Sequence, residues 1–151
     1  MDGNASSAHP IRDERGFTLV ELLVVMLVLA LLAAIAISSF FNQADKARDA
    51  SAKAAVRTAE TAMEAYAIDH DGRYSGADVA ALRGYEQTLN AAALTVDLAE
   101  ADRYQVTVAS ATGNSFHITR HPGGTTSLAC ETASTGGCPA DGDGDGHGDW
   151  G

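Results

Sequence analysis

Three sets of side chains in this sequence are spaced for chemistry. Glu21 is a lone carboxylate at the head of an apolar run, preceded by Arg15-Gly16-Phe17-Thr18-Leu19-Val20 and followed by uncharged, hydrophobic residues from Leu22 to Ile37. A charged acid at the centre of such a segment costs on the order of 2 to 3 kcal/mol in a membrane, so it is retained for a partner, and the expected partner is an amine. Cys130 and Cys138 are the only cysteines and sit in a Gly, Ser and Thr-rich stretch. They read as an extracytoplasmic disulfide closing a short loop; the rival, a metal site, lacks the paired Cys or His motif that zinc requires. Asp141, Asp143, Asp145 and Asp149 alternate with glycine and resemble the first part of a calcium loop, although the bidentate acid of its twelfth position is absent. A weak calcium site and a solvated acidic tail are both open there, because ordering a glycine-rich segment is entropically costly. The histidines His9, His70, His117, His121 and His147 show no metalloenzyme spacing. No nucleophile motif and no phosphate-cradling loop accompany them, so catalysis is not expected.

These groups must be held by a helix and a small sheet. Residues 17–41 form a 25-residue apolar stretch, which as a helix spans about 37 Å and exceeds a hydrocarbon core of about 30 Å. An acid in its first turn is favoured by the helix dipole, so helix capping is the bland reading of Glu21. The chain then turns polar without a proline or glycine until Gly72, and the helix is expected to continue. In that second part Ala52, Val56, Ala59, Met63 and Tyr66 recur at helical spacing, with Asp49, Lys53, Arg57, Glu60 and Glu64 on the polar positions. Asp49 and Lys53 are an expected cross-turn ion pair. A short helix is expected over Asp78–Leu82, and a strand around Leu94–Leu98 is only weakly indicated. Tyr104, Val106 and Val108, a turn at Thr112-Gly113-Asn114-Ser115, then Phe116 and Ile118 read as a β-hairpin. A further turn at His121-Pro122-Gly123-Gly124 leads to a strand over Ser127–Cys130. The expected fold is α+β: a long N-terminal helix, its second half packed on an antiparallel sheet of about three to four strands.

The segment around Gly16 resembles the class III signal of type IV pilins and pseudopilins. The resemblance implies cleavage by a prepilin peptidase between Gly16 and Phe17, N-methylation of Phe17, and neutralisation of that new amine by Glu21 of a neighbouring subunit. It also implies a projecting helical stalk that polymerises, and a disulfide loop near the carboxyl end. The domain plan is then a leader at 1–16, a transmembrane and assembly helix at 17–41, a head at 42–140 and an acidic tail at 141–151. Removing the leader would leave 135 of the 151 residues, room for one small core.

The formal charge of −10, with 10 basic against 20 acidic residues, disfavours a nucleic-acid partner, since phosphate binding needs clustered Lys and Arg. The expected partners are further copies of the chain, the peptidase, an assembly platform in the membrane and minor pilins. No cofactor is expected beyond a possible calcium ion. The subunit is expected as a single-pass protein of the inner or cytoplasmic membrane, then in an extracellular filament. A type II secretion pseudopilin is the alternative. A Sec-secreted or membrane-anchored binding protein, cut near Ala34-Ile35-Ala36, is the alternative of another class.

Overall fold

The computed structural model describes residues 16–131, 135–140 and 147–151, the side chains of Ser38 and Ser39 excepted. The chain divides into two compact units, Met1–Ser38 and Ser39–Gly151. One helix, α1 (Leu19–Asp69), contributes to both.

In the first unit, every large apolar side chain from Phe17 to Ile37 is exposed. A helix hydrophobic on all sides has no inward face to bury within its own chain, so its burial must come from lipid or from other protein. This stretch is long and apolar enough to cross a membrane.

The second unit places α1 on a five-stranded antiparallel meander in the order β1-β2-β3-β4-β5. The strands are β1 (Ala93–Ala99), β2 (Tyr104–Ala109), β3 (Ser115–Arg120), β4 (Thr126–Cys130) and β5 (Gly148–Asp149). α1 ends in a Schellman-type turn: Asp71 and Gly72 adopt positive φ, and the Gly72 N–H donates to the Ala67 carbonyl at 2.8 Å. Two short elements follow, α2 (Val79–Tyr85) and a 3-10 turn at Gln87–Ala91. The α2 N-terminus is capped by Asp78, whose carboxylate accepts from the Ala81 N–H at 2.7 Å.

Strand alternation decides the core. Tyr104, Val106 and Val108 on β2 and Phe116 and Ile118 on β3 point to α1 and meet Val56, Ala59 and Met63. All of these are essentially fully buried. Small residues on the same stripe, Ala52, Ala59, Ala62 and Ala67, let the sheet come close to the helix. Each large apolar side chain so buried contributes about 1.5 to 3 kcal/mol. Tyr66 joins this core, its hydroxyl donating to the Ser75 carbonyl at 3.2 Å.

Two differences from the sequence reading stand out. The weakly patterned Leu94–Leu98 segment is a full strand, with an irregular register between Val96 and Leu98 that explains its blurred alternation. The fifth strand comes from the acidic tail: Gly148 and Asp149 pair with Cys130 and Ala129 of β4. Trp150 then packs edge-on to Phe116 with ring centroids 6.0 Å apart, and its indole N–H donates to the Ala129 carbonyl. The end of the tail is therefore part of the sheet, held by an aromatic anchor whose partners lie far away in the sequence.

Candidate assembly site and the buried polar network

The first candidate site is built at the start of α1. Thr18 precedes the first helical residue and Glu21 is the third residue in, the spacing of a capping box. The Glu21 N–H donates to the Thr18 hydroxyl oxygen at 3.2 Å. In return the Glu21 carboxylate accepts from the Thr18 N–H at 3.4 Å and its hydroxyl at 3.3 Å. Glu21 is thus oriented by its own chain while remaining exposed. Phe17 is also exposed, and a Cβ built at Gly16 meets nothing within 4 Å. The fold itself therefore places no steric demand for glycine at position 16. The rest of the expected leader, residues 1–15, lies outside the described residues.

A second polar constellation was not anticipated. Asp49, assigned by its charge to the solvated face of α1, is fully buried. Its Oδ1 accepts from the Ser110 hydroxyl at 2.6 Å and from the Thr112 hydroxyl. Its Oδ2 accepts from Asn114 Nδ2 at 2.8 Å and from the Gly137 N–H at 2.7 Å. Desolvation pushes the carboxyl pKa upward, but these four hydrogen bonds together hold it below its ordinary value. The expected Asp49–Lys53 ion pair is replaced by this arrangement. Lys53 Nζ instead lies over the rings of Phe116 and Trp150, 5.3 and 5.5 Å from their centroids. Its pKa is lowered by burial and raised in part by the Asp49 charge, with a net decrease. A sequence signal for Asp49 existed: stepping back three residues from Ala52 along the stripe Ala52, Val56, Ala59, Met63 lands on position 49.

Cys130 and Cys138 form the expected disulfide. The loop it closes carries Gly136 and Gly137 against the Asp49 carboxylate, where a Cβ on Gly137 would come within 2.7 Å of the Asp49 Cβ. Asp49 therefore joins three distant segments: the helix, the β2–β3 turn and the disulfide loop. Glu64 organises a similar, more exposed contact. It accepts from the hydroxyls of Tyr74 and Tyr104 and pairs with Arg120 at 3.1 Å. Burial and the neighbouring Glu64 charge raise the Tyr104 pKa, keeping its hydroxyl protonated as a donor.

Of the acids proposed for calcium, Asp141, Asp143 and Asp145 lie outside the described residues. Asp149 stands on β5, its carboxylate accepting from the Gly151 N–H at 3.0 Å. Among the described residues, no three His, Cys, Asp or Glu side chains already form a metal-binding group.

Comparison with known proteins bears on the first site. The family described as the prokaryotic N-terminal methylation motif matches residues 11–37. Competence protein ComGC of Halalkalibacterium halodurans is 33% identical over 76 residues, covering 50% of this chain and 74% of that protein. The ComG operon protein 3 homolog of Bacillus licheniformis is 34% identical over 61 residues, 40% of this chain and 63% of its own length. The type II secretion system core protein G of Pseudomonas aeruginosa is 32% identical over 59 residues, 39% of this chain and 42% of its own length. No solved structure matches the chain.

Proposed function

The chain belongs to the family of type IV pilin-like proteins that carry the N-terminal methylation motif, and from that premise we propose that it is a structural subunit of a type IV pilus filament. Family members are structural subunits rather than enzymes. A prepilin peptidase cuts between Gly16 and Phe17 and methylates the new amino terminus. The subunit waits in the membrane through residues 17–41 and is passed by an assembly platform into a filament of further copies, with minor pilins. The observation that carries this reading is the wholly exposed apolar surface from Phe17 to Ile37, led by one oriented carboxylate. Glycine at position 16, which the fold does not need, fits a requirement set by a processing enzyme.

Glu21 is the electrostatic partner of the Phe17 amine of a neighbouring subunit. Removing one member of a desolvated ion pair costs about 3 to 5 kcal/mol, more than a hundredfold in an association constant. Glu21→Ala should therefore leave cleavage intact and nearly abolish incorporation into filaments. Glu21→Gln separates the two roles of the side chain, because glutamine preserves a capping box but carries no charge. Incorporation should fail with glutamine as it does with alanine; normal filaments from Glu21→Gln would assign Glu21 to capping alone. Amino-terminal sequencing of the mature protein should begin at methylated Phe17, whereas a start after Ala36 would support a Sec-processed binding protein.

A pseudopilin of a type II secretion apparatus is the second reading, favoured by the similarity to core protein G. One relative is named a competence protein, but the charge of −10 disfavours phosphate binding by this subunit. Calcium on Asp141, Asp143, Asp145 and Asp149 is proposed as a weak accessory site. At calcium about tenfold above its dissociation constant, such a site would stabilise the head by about 1.4 kcal/mol. A melting curve unchanged by millimolar calcium would remove it.

A further inference from the structure

The face of the sheet turned away from α1 carries a second arrangement, independent of filament assembly. On β3, Phe116 and Ile118 point to the helix, so strand alternation sends His117 to the opposite face. Register extends that row: His117 stands opposite Ala129 on β4, and Ala129 stands opposite Asp149 on β5. Ala129 offers only a methyl group, which leaves space above it. His147, two residues before Asp149, approaches His117 with ring centroids 6.0 Å apart and planes at 83°. Glu131, two residues beyond Ala129 on the same face, is diagonal to His117, a separation that long side chains bridge. Glu131 and Asp97 both act electrostatically on His117.

We infer that His117 and His147 form a bis-imidazole clamp for a divalent transition-metal cation of the zinc, nickel and copper class, with the Glu131 carboxylate beside it. Imidazole nitrogens select these borderline cations, whereas calcium takes oxygen ligands. A metal lies about 2.0 to 2.1 Å from each ligating nitrogen, which places two imidazole centres about 5 to 6 Å apart, a separation close to that of the observed pair. Among the described residues no third ligand is already in place, so water and Glu131 complete the shell.

The test uses the untagged full chain in mild detergent, titrated calorimetrically with zinc chloride near neutral pH. One zinc should bind per chain. His117→Ala and His147→Ala should each weaken binding at least about tenfold, since loss of a mere supporting group already costs 10- to 100-fold. His121→Ala, a histidine engaged with Ser127 elsewhere, should leave binding unchanged. In the unsubstituted protein, zinc should also protect His117 and His147 from histidine-selective acylation read by mass spectrometry. Absence of zinc binding, or binding and protection indifferent to both histidines, would overturn the inference.

Discussion

Replacing Asp49 tests whether one buried carboxylate holds the head together. Four donors from two separate segments, the β2–β3 turn and the disulfide loop, converge on it, and hydrogen bonds to a charged group are worth about 1.5 to 3 kcal/mol each before compensation. Compensation is available to some donors after truncation. The Thr112 hydroxyl lies 3.1 Å from Ser110 Oγ and can donate there once Asp49 is gone, and Asn114 Nδ2 also donates to the Thr135 carbonyl at 3.1 Å. The Gly137 N–H has no such second acceptor among the described contacts. One orphaned backbone donor, three weakened ones and a cavity give an expected cost of about 3 to 5 kcal/mol for Asp49→Ala. Asp49→Asn should cost only about 1 to 2 kcal/mol, because its oxygen can still accept from Asn114 and Gly137 while its amide donates to the hydroxyls, which rotate. The single tryptophan, Trp150, sits against Phe116 and Lys53, so its fluorescence during urea unfolding reads the relevant packing. The pH dependence has a definite sign. A carboxyl held below its ordinary value contributes stability that is present above the unfolded value of about 3.9 and is lost as pH falls through the folded value. Asp49→Asn should therefore flatten the acid limb of the stability curve. An alanine variant within 1 kcal/mol of the parent, or an asparagine variant as damaged as alanine, would refute the latch.

Reducing the Cys130–Cys138 disulfide, whose residues are 8 apart, should cost about 2.5 kcal/mol on the chain-entropy model, measured by urea unfolding with and without reductant. Because Gly137 lies in that loop, the loss should be non-additive with Asp49→Ala, with a coupling of about 0.5 to 3 kcal/mol in a double-mutant cycle. Gly137→Ala should destabilise by about 1 to 3 kcal/mol through overpacking against the Asp49 side chain. Gly113→Ala serves as its control: the position has φ +95° but open space, so only backbone strain of about 1 kcal/mol or slightly more is expected. Equal melting midpoints for both glycine variants would contradict the close approach at Gly137.

Short-range information made much of the fold legible. The stripe Ala52, Val56, Ala59, Met63 follows helical periodicity, and Tyr104, Val106 and Val108 alternate as a half-buried strand must, because each pattern is written within one element. The Gly16-Phe17 and Glu21 spacing, with the apolar run behind it, is likewise local, and so is the family resemblance that it carries. Where several elements meet, charge alone misled. Asp49 reads as solvated until the β2–β3 turn and the disulfide loop arrive to replace its water with four donors. Gly148–Asp149 reads as loose tail because two residues have no period, and only pairing with β4 and the seating of Trp150 make them a strand. His117 and His147 become neighbours solely through the register of β3, β4 and β5. Covalent neighbours set propensity and motif; desolvation and cross-strand register, which depend on residues far away in the chain, decide which polar groups are buried and which meet.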